Sequence, residues 1–380
     1  MSDVLIYGDT ERSAALRHEV PVGIGDAFLY LETGGRQVIL TNALERERIA
    51  RVLPEAELLM PEELGLYELI ADGMAREDIS IELAARAVQR AGVRRASVPG
   101  DLPVVIADRL RADGVVLDVD VRGFHERRRR KNPAELAGIR RAQRAAQEGM
   151  AAGAALLRRA DIDGDRLMVD GDVLTAEAVR AAIREACAAA GSPATQDLMV
   201  VSTWSGGGHD SGSGPLPANL PIVIDLWPQD EQTACWADMT RTFLVGDVPP
   251  RVAELAGVVR EALEAVRRLA APGVTGRALY EAAADVVEAA GYPTQRTRTP
   301  GETLTQGFYF SLGHGVGLEV HEAPLLGLAG HDELLPGDVI AVEPGIEGLP
   351  DLGGVRYEDL LLITPDGVET LTDFPYRLAP

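Results

Sequence analysis

Two kinds of hydrophobic pattern alternate along the first 120 residues. Residues 27–31 and 37–41 are β-branched and aromatic runs separated by a short segment with two glycines, which predicts a β-hairpin. Three segments have the apolar spacing of helices: 45–52, 63–74 and 106–111. Two short runs have the pattern of strands: 96–98 and 115–119. Strands that alternate with helices predict a small N-terminal α/β domain.

A polar, basic segment follows at residues 122–131, RGFHERRRRK. It could be an arm that binds nucleic acid, but we interpret it as a solvated interdomain linker whose arginines pair with surface acids. The boundary is placed accordingly, with one domain at 1–128 and a second at 129–380. A long helix should begin directly after the linker, because Asn132 suits the N-cap and Glu135 completes a capping box.

Beyond this boundary the pattern changes to long alanine-rich helices interleaved with strands. The predicted helices are 132–159, 175–190, 249–271 and 277–290. The predicted strands are 199–203, 221–226, 240–244, 339–342 and 360–364. Helix pairs with several strands in about 250 residues predict an α+β domain with helices packed on a sheet.

Composition limits the partners of the chain. With 37 Lys+Arg against 59 Asp+Glu, the formal charge of the 380 residues is −22, which disfavours general binding to nucleic acid. Lys131 is the single lysine and lies outside any glycine-rich loop, which excludes a P-loop lysine and almost any Schiff-base enzyme. Cys187 and Cys235 are too few for a disulfide framework and are expected to be buried. With neither a secretion signal nor a membrane span in the sequence, we expect a cytoplasmic protein without membrane or nucleic-acid partners.

Four carboxylates and one imidazole of the second domain stand beside apolar strands or in a glycine-rich segment: Asp225, Asp238, His314, Glu343 and Glu358. Any one of them could have an ordinary role; Asp225 alone could cap a strand end. Together they need a positive charge, because an unpaired buried carboxylate costs several kcal/mol. Arg241 and Arg356 are too few to balance four acids. Oxygen ligands with one nitrogen suit a pair of divalent ions such as Mn²⁺, Co²⁺ or Zn²⁺.

Several segments resemble one known family. GHGVGLEVHEAP, VEPGI, GVRYED and DMTRTF look like hallmark segments of the dinuclear-metal peptidases with the pita-bread fold, and NPAELAGIRRA resembles the helix that opens their catalytic domain. The family includes methionine aminopeptidase, prolidase, aminopeptidase P and creatinase. The match covers about residues 132–375. The resemblance implies a C-terminal pita-bread catalytic domain, and the length before it suits the prolidase, aminopeptidase P and creatinase branch.

The resemblance also implies the roles of individual residues. Asp225 would chelate one ion, His314 and Glu343 would complete the other, and Asp238 and Glu358 would bridge both. Glu343 would act as general base, while His321 would steady the substrate carbonyl. The substrate would be a small peptide, cleaved before proline by a hydroxide that bridges two divalent ions, with Mn²⁺ preferred over Co²⁺ or Zn²⁺. The branch is commonly dimeric or of higher homo-oligomeric state.

Two further residues match substrate-contacting positions of the family. His209, sixteen residues before Asp225, would contact substrate and assist catalysis; alternatively it belongs to a flexible Gly/Ser loop. Arg356 would contact substrate or pair with a metal-bound carboxylate.

Two departures from the family pattern stand out. The spacing from Asp225 to Asp238 is 13 residues where about 11 are expected, and Phe310 stands where the peptidases often have a histidine. These departures leave the choice between an Xaa-Pro dipeptidase and an Xaa-Pro aminopeptidase open. Two other readings also stay open: a creatinase-like hydrolase of another C–N bond, and a non-catalytic binding module on the same fold.

Overall fold

The computed structural model describes residues 3–202 and 210–380, and the chain divides into two compact units. The first runs to Arg128 and the second from Arg129 to Pro380. Within the described residues, no helix is both long and apolar enough to cross a bilayer.

The first unit is built on one mixed six-stranded sheet in the order β4-β3-β2-β1-β5-β6. Its strands are β1 Asp3–Gly8, β2 Phe28–Thr33, β3 Arg36–Leu40, β4 Glu57–Leu59, β5 Arg95–Val98 and β6 Val116–Val119. The helices are α1 Ala14–Glu19, α2 Arg46–Val52, α3 Leu66–Ala71, α4 Arg76–Ala91, α5 Val104–Ala112 and α6 Val121–Arg129, with a 3₁₀ turn at Pro61–Leu64. The predicted α/β character of this part of the chain is confirmed.

The predicted hairpin is confirmed as β2 and β3, which pair antiparallel up to Thr33 opposite Arg36. Gly34 and Gly35 form the two-residue turn, and both have positive φ, 56° and 76°. Such a turn matches the twist of the flanking strands and strongly favours glycine.

The structure also differs from the sequence predictions in this region. Helix α4 was missed, although Ile79 and Leu83 lie buried one turn apart; its N-cap is Ala75, which offers no capping side chain as a sequence signal. The basic segment is not a solvated linker, because α6 runs through most of it. Arg129 is only 3% exposed and donates to Asp338 at 2.7 Å. At least one arginine of the basic segment therefore forms a buried ion pair within the second unit.

The second unit contains four long helices and thirteen strands in its described part. The helices are α7 Pro133–Arg158, α8 Ala176–Ala189, α9 Pro250–Leu269 and α10 Gly276–Ala289. The strands are β7 Asp161–Asp163, β8 Arg166–Val169, β9 Asp172–Val173, β10 Met199–Ser202, β11 Ile222–Leu226, β12 Met239–Phe243, β13 Gly313–Gly315, β14 Glu322–Leu326, β15 Val339–Val342, β16 Gly345–Leu349, β17 Gly353–Arg356, β18 Asp359–Thr364 and β19 Gly367–Thr370. The predicted α+β character is confirmed.

Helix α7 begins as its sequence predicts. Asn132 accepts a hydrogen bond from the Glu135 amide at 2.9 Å, and the Glu135 carboxylate accepts one from the Asn132 amide at 2.8 Å. This capping box satisfies two amides that the first helical turn leaves without partners. The helix then buries the face that includes Ile139 and Met150, both fully buried.

Two sheets carry the candidate chemistry. Strands β10-β11-β12 form an antiparallel sheet against α7 and α8, and β14-β13-β15-β18-β19 form a second sheet against α9 and α10. The β16-β17 hairpin also packs on α9. The core between these elements consists mainly of aliphatic side chains from α9, α10, β15 and β18. A rigid frame of this kind fixes polar groups that stand at the strand ends.

Candidate metal centre

The first sheet supplies two aspartates. Asp225 is the fourth residue of β11 and lies opposite Thr240 of β12. Asp238 directly precedes β12, and its Oδ1 accepts the Met239 amide at 3.0 Å. Both aspartates are buried, with 6% and 4% of their surface exposed. The antiparallel pairing therefore brings together two carboxylates that are thirteen residues apart in sequence.

The second sheet supplies the histidine. His314 is the middle residue of β13, which lies between β14 and β15. The glycines on both sides of it are required by the close approach of these neighbours: a Cβ on Gly313 would lie 2.0 Å from the Ala341 carbonyl oxygen, and one on Gly315 would lie 2.1 Å from that of Ala323. The Gly-His-Gly triplet thus lets a central strand present a single imidazole.

Two glutamates complete the group from adjacent strand ends. Glu343 follows β15, and its amide donates to Leu312 at 2.8 Å. Glu358 stands between β17 and β18 and joins the two sheets, because its amide donates to the Thr240 carbonyl at 3.1 Å. The Thr240 hydroxyl in turn donates to Glu358 Oε2 at 2.8 Å.

Ligand atoms of Asp238, His314 and Glu358 all lie within 4.8 Å of one another. His314 Nε2 lies 3.8 Å from Asp238 Oδ2 and 3.4 Å from Glu343 Oε1. Asp225 and Glu343 are outside this tightest group, and both face Arg356. The five predicted ligands therefore form one buried cluster, with three at its centre and two at its edge.

The charges of the cluster shift the pKa values of its members. Burial and then the neighbouring Asp225 raise the pKa of Asp238 well above its usual value. Burial and then Asp238 do the same for Glu358. Burial alone would lower the pKa of His314, but the hydrogen bond and charge of Glu343 outweigh it and raise this pKa to about 9. For Glu343 the hydrogen bond from His314 outweighs burial, and its pKa is lowered.

The donor set fits divalent cations. Buried carboxylates that lie this close to one another repel, and positive charge between them removes the repulsion. Carboxylate oxygens with one imidazole nitrogen are ligands suited to Mn²⁺, Zn²⁺ or Co²⁺. Asp238, Glu358 and His314 could hold one such ion, with Asp225 and Glu343 extending the site toward a second.

Arg356 lies at the edge of this cluster and contacts three carboxylates. One terminal nitrogen donates to Asp225 Oδ2 at 2.6 Å, the other lies 3.7 Å from Glu343, and Nε lies 3.6 Å from Glu347. Burial would lower the pKa of Arg356, but the charges of Asp225 and Glu347 outweigh it and raise this pKa. Arg241, the other arginine considered as a balancing charge, donates instead to Asp359 at 2.8 Å.

Other predicted site residues lie around a cavity of about 410 Å³ beside the cluster. His321 is exposed and its ring centroid lies 4.3 Å from that of His314, at a T-shaped angle. Phe310 also lines the cavity. His209 lies outside the described residues, so its predicted role stays a prediction.

The sequence reasoning missed Glu347, which lines the same cavity and is only 1% exposed. Burial raises its pKa to about 7, against the opposing charge of Arg356. A signal was present: Glu347 lies four residues after Glu343, in the apolar context of Ile346 and Leu349, where an unpaired carboxylate is costly.

The lengthened segment between Asp225 and Asp238 folds back on itself. Asp230, 1% exposed, accepts two hydrogen bonds of 2.8 Å from Arg141 and one of 2.6 Å from the Thr233 hydroxyl. Trp236 donates through Nε1 to the Leu318 carbonyl at 3.2 Å. The insertion is thus anchored both to α7 and to the segment that precedes His321.

The chain is similar to known peptidases in sequence and in fold. Over 138 residues the chain is 40% identical to the Xaa-Pro dipeptidase of Pyrococcus furiosus, a stretch covering 36% of this chain and 35% of that protein. The sequence match thus spans about a third of the length of that curated relative.

The structure resembles the prolidase of Pyrococcus horikoshii OT3, with 24% identity, a TM-score of 0.75 and coverage of 100% of this chain and 95% of that one. It also resembles the X-Pro aminopeptidase of Thermotoga maritima MSB8, with 20% identity, a TM-score of 0.75 and coverage of 98% and 96%.

The predicted pita-bread fold is therefore confirmed. Residues 137–365 match the profile of Metallopeptidase family M24. This range is more than half of the chain and contains all five residues of the candidate metal cluster. This protein belongs to metallopeptidase family M24.

Proposed function

We propose that this protein is a metal-dependent hydrolase that cleaves the peptide bond before proline. The observation that carries the proposal is the buried cluster of Asp238, His314 and Glu358, with Asp225 and Glu343 at its edge. Membership of family M24 supports peptide hydrolysis, and the name of the Pyrococcus furiosus relative, Xaa-Pro dipeptidase, supports proline as the residue after the cleaved bond.

Each residue of the cluster has a proposed role. Asp225, Asp238, His314, Glu343 and Glu358 would hold two divalent ions, with Mn²⁺ as the proposed native metal. When bound, the ions would lower the pKa of a shared water and polarise the substrate carbonyl. Glu343, at the boundary between the cluster and the cavity, would take a proton from the attacking water as general base.

His321 is proposed to orient the substrate. It is exposed on the cavity side of His314, and a neutral or protonated imidazole there could donate a hydrogen bond to the carbonyl oxygen as charge develops on it. His321 would thus contact the substrate and not a metal ion. The imidazole that faces the carboxylates is that of His314, through its Nε2.

The test compares metal-free, Mn²⁺-loaded and Zn²⁺-loaded protein on a panel of Xaa-Pro dipeptides, Xaa-Pro-Xaa tripeptides and matched peptides with alanine in place of proline. We expect hydrolysis that requires metal and that favours proline peptides. Bound metal should be counted by elemental analysis at about two ions per chain. Hydrolysis that is unchanged by complete metal removal, or equal rates on the alanine peptides, would overturn the proposal.

A further inference from the structure

Glu347 is a carboxylate in the cavity wall that the predicted metal set does not use. It lies on β16, and its backbone is fixed by hydrogen bonds in both directions with Gly307, of 3.1 and 2.9 Å. Its side chain is 1% exposed, and Oε1 accepts no hydrogen bond from any described residue. The carboxylate is therefore held at a fixed place in the wall with hydrogen-bonding capacity to spare.

The nearest cation to Glu347 is already engaged. Arg356 is the one lysine or arginine among the described residues that line the cavity. Its three guanidinium nitrogens face Asp225, Glu343 and Glu347, at 2.6, 3.7 and 3.6 Å. Metal ions bound by Asp225 and Glu343 would compete with Arg356 for these two carboxylates. Glu347 is not a predicted ligand, so its contact with Arg356 would remain.

Part of the wall beside Glu347 is aromatic. The Phe310 ring comes within 3.0 Å of the position that a Cβ on Gly345 would occupy, so this ring lies against the start of β16. Phe310 makes edge-to-face contacts with Phe308 and Tyr309, with centroids 5.4 Å apart in both cases. Neither an aromatic ring nor a buried carboxylate offers a hydrogen-bond donor to a substrate carboxylate.

We propose that Glu347 is a specificity-determining residue that makes the cavity reject a free carboxylate on the proline and accept peptides that continue beyond proline. The proposal rests on the proposed function and narrows it from Xaa-Pro peptides in general to Xaa-Pro-Xaa peptides, the aminopeptidase class. Glu347 pairs with Arg356 in the cavity wall. Because this guanidinium is already paired, it is not available to bind the carboxylate of a dipeptide. In its ionised form Glu347 also repels that carboxylate directly, and a like charge built into a site is an effective way to exclude a competing substrate.

The decisive pair of substrates, Leu-Pro and Leu-Pro-amide, differs only at the C-terminal group, which is a carboxylate in one and a neutral amide in the other. We expect the Mn²⁺-loaded wild type to have a kcat/KM at least 10-fold higher on the amide. Glu347→Gln keeps the shape and removes the charge, so it should reduce this preference at least 5-fold, mainly through a lower KM for Leu-Pro. Glu281→Gln is the matched control, because Glu281 pairs with Arg277 on the exposed face of α10 and should leave the preference unchanged. A wild type that prefers Leu-Pro, or a folded Glu347→Gln variant with an unchanged ratio, would overturn the proposal.

A binding measurement separates this proposal from the proposed function. Proline and prolinamide have no residue before proline, so they lack the bond that the proposed reaction cleaves, and calorimetric titration of each into Zn²⁺-loaded protein measures binding without turnover. We expect prolinamide to bind the wild type at least 5-fold more tightly, and Glu347→Gln to improve proline binding while prolinamide binding stays constant. If no peptide is hydrolysed but this pattern holds, the reaction is wrong and the role of Glu347 stands. If peptides are hydrolysed and proline binds wild type and variant alike, the role of Glu347 is wrong.

Discussion

The Thr240 hydroxyl donates a 2.8 Å hydrogen bond to Oε2 of Glu358, across the junction of the two sheets that carry the metal cluster. Thr240 is fully buried and also lies opposite Asp225 in the β11–β12 register. Thr240 therefore orients Glu358, a predicted bridging ligand, and is also the cross-strand neighbour of Asp225, a predicted ligand in its own sheet. Side chains that orient metal ligands are often nearly as important as the ligands themselves.

Thr240→Val should weaken metal binding while the fold is retained. Valine has nearly the same shape but cannot donate to Glu358, so the carboxylate loses its fixed orientation. We expect metal affinity to fall about 10-fold to 100-fold, as is typical for the loss of such a supporting hydrogen bond. Competition with a chromogenic chelator measures it. Thr370→Val, on the exposed strand β19, is the control and should bind metal like the wild type.

Glu343→Gln should abolish most of the turnover without loss of the fold. The variant keeps an oxygen toward the cluster but cannot take a proton, and loss of a general base typically lowers kcat by about 10² to 10⁴-fold. Steady-state kinetics on the best peptide, with circular dichroism as a check of folding, tests this. A variant that is folded, loaded with metal and more than half as active as the wild type would show that Glu343 is not the base.

Asp238→Asn should stabilise the metal-free protein and prevent its stabilisation by metal. In the absence of ions the Asp238 carboxylate is buried beside Asp225, Glu343 and Glu358, and removal of one of these repelling charges should gain about 1 kcal/mol. In the wild type, added Mn²⁺ should raise the melting temperature, because a ligand that binds only the folded state stabilises it. Differential scanning calorimetry with and without Mn²⁺ compares the two proteins, with the exposed Asp247→Asn as control. A metal-free Asp238→Asn protein that melts well below the wild type would contradict this interpretation.

Much of this site could be predicted from the sequence because ligand types and strand ends are local signals. Asp225, Glu343 and Glu358 each adjoin a run of apolar residues, and such a run both predicts a strand and makes the carboxylate conspicuous. The positions of these residues in one cluster needed the fold, since register across β11, β12, β13 and β15 decides which strand ends meet.

What the sequence could not predict was the pairing of charges across long separations. Arg129 and Asp338 are 209 residues apart, yet they form a buried ion pair, and this is why a basic segment was mistaken for a solvated linker. Arg356 was predicted near the cluster, but its contacts with three carboxylates, including Glu347, depend on the β16–β17 hairpin. Such pairs leave no periodic pattern in the sequence.

Arg141→Met should destabilise the protein at neutral pH and much less in acid. Burial raises the pKa of Asp230, but hydrogen bonds from Arg141 and Thr233 outweigh it and hold this pKa below its usual value. The carboxylate therefore contributes stability that is present above the unfolded-state pKa of about 4 and is lost as the pH falls through the lower, folded-state pKa. We expect a cost of about 2 kcal/mol at pH 7 for a buried carboxylate that has lost its charged donor.

Urea unfolding at pH 7 and at several values down to pH 3 measures this difference. The neighbouring Arg140→Met is the control, because Arg140 and Glu369 form an exposed pair, with 40% and 45% of their side chains accessible. Such a pair contributes about 0–1 kcal/mol. An Arg141→Met variant that behaves like Arg140→Met at pH 7 would show that the lengthened segment does not depend on Asp230.

The single lysine of the chain provides the last test. Lys131 donates to Glu322 inside the protein, where 3% and 2% of the two side chains are exposed. Glu322 Oε1 also accepts the amides of Leu318 and Glu319, at 3.0 and 3.1 Å, and so shapes the segment that leads to His321. Lys131→Met leaves this carboxylate buried without its counter-charge and should cost about 3–5 kcal/mol.

The double variant Lys131→Met/Glu322→Gln separates charge from shape. Glutamine is neutral and its oxygen can still accept the two amides, so the double variant should recover more than half of the lost stability in urea unfolding. Its kcat should also approach that of the wild type, because the segment before His321 is held as before. If Lys131→Met alone costs less than about 1 kcal/mol, the pair is no stronger than an exposed one. In that case the position of His321 must be fixed chiefly by its other neighbours, among them the Trp236 contact with Leu318.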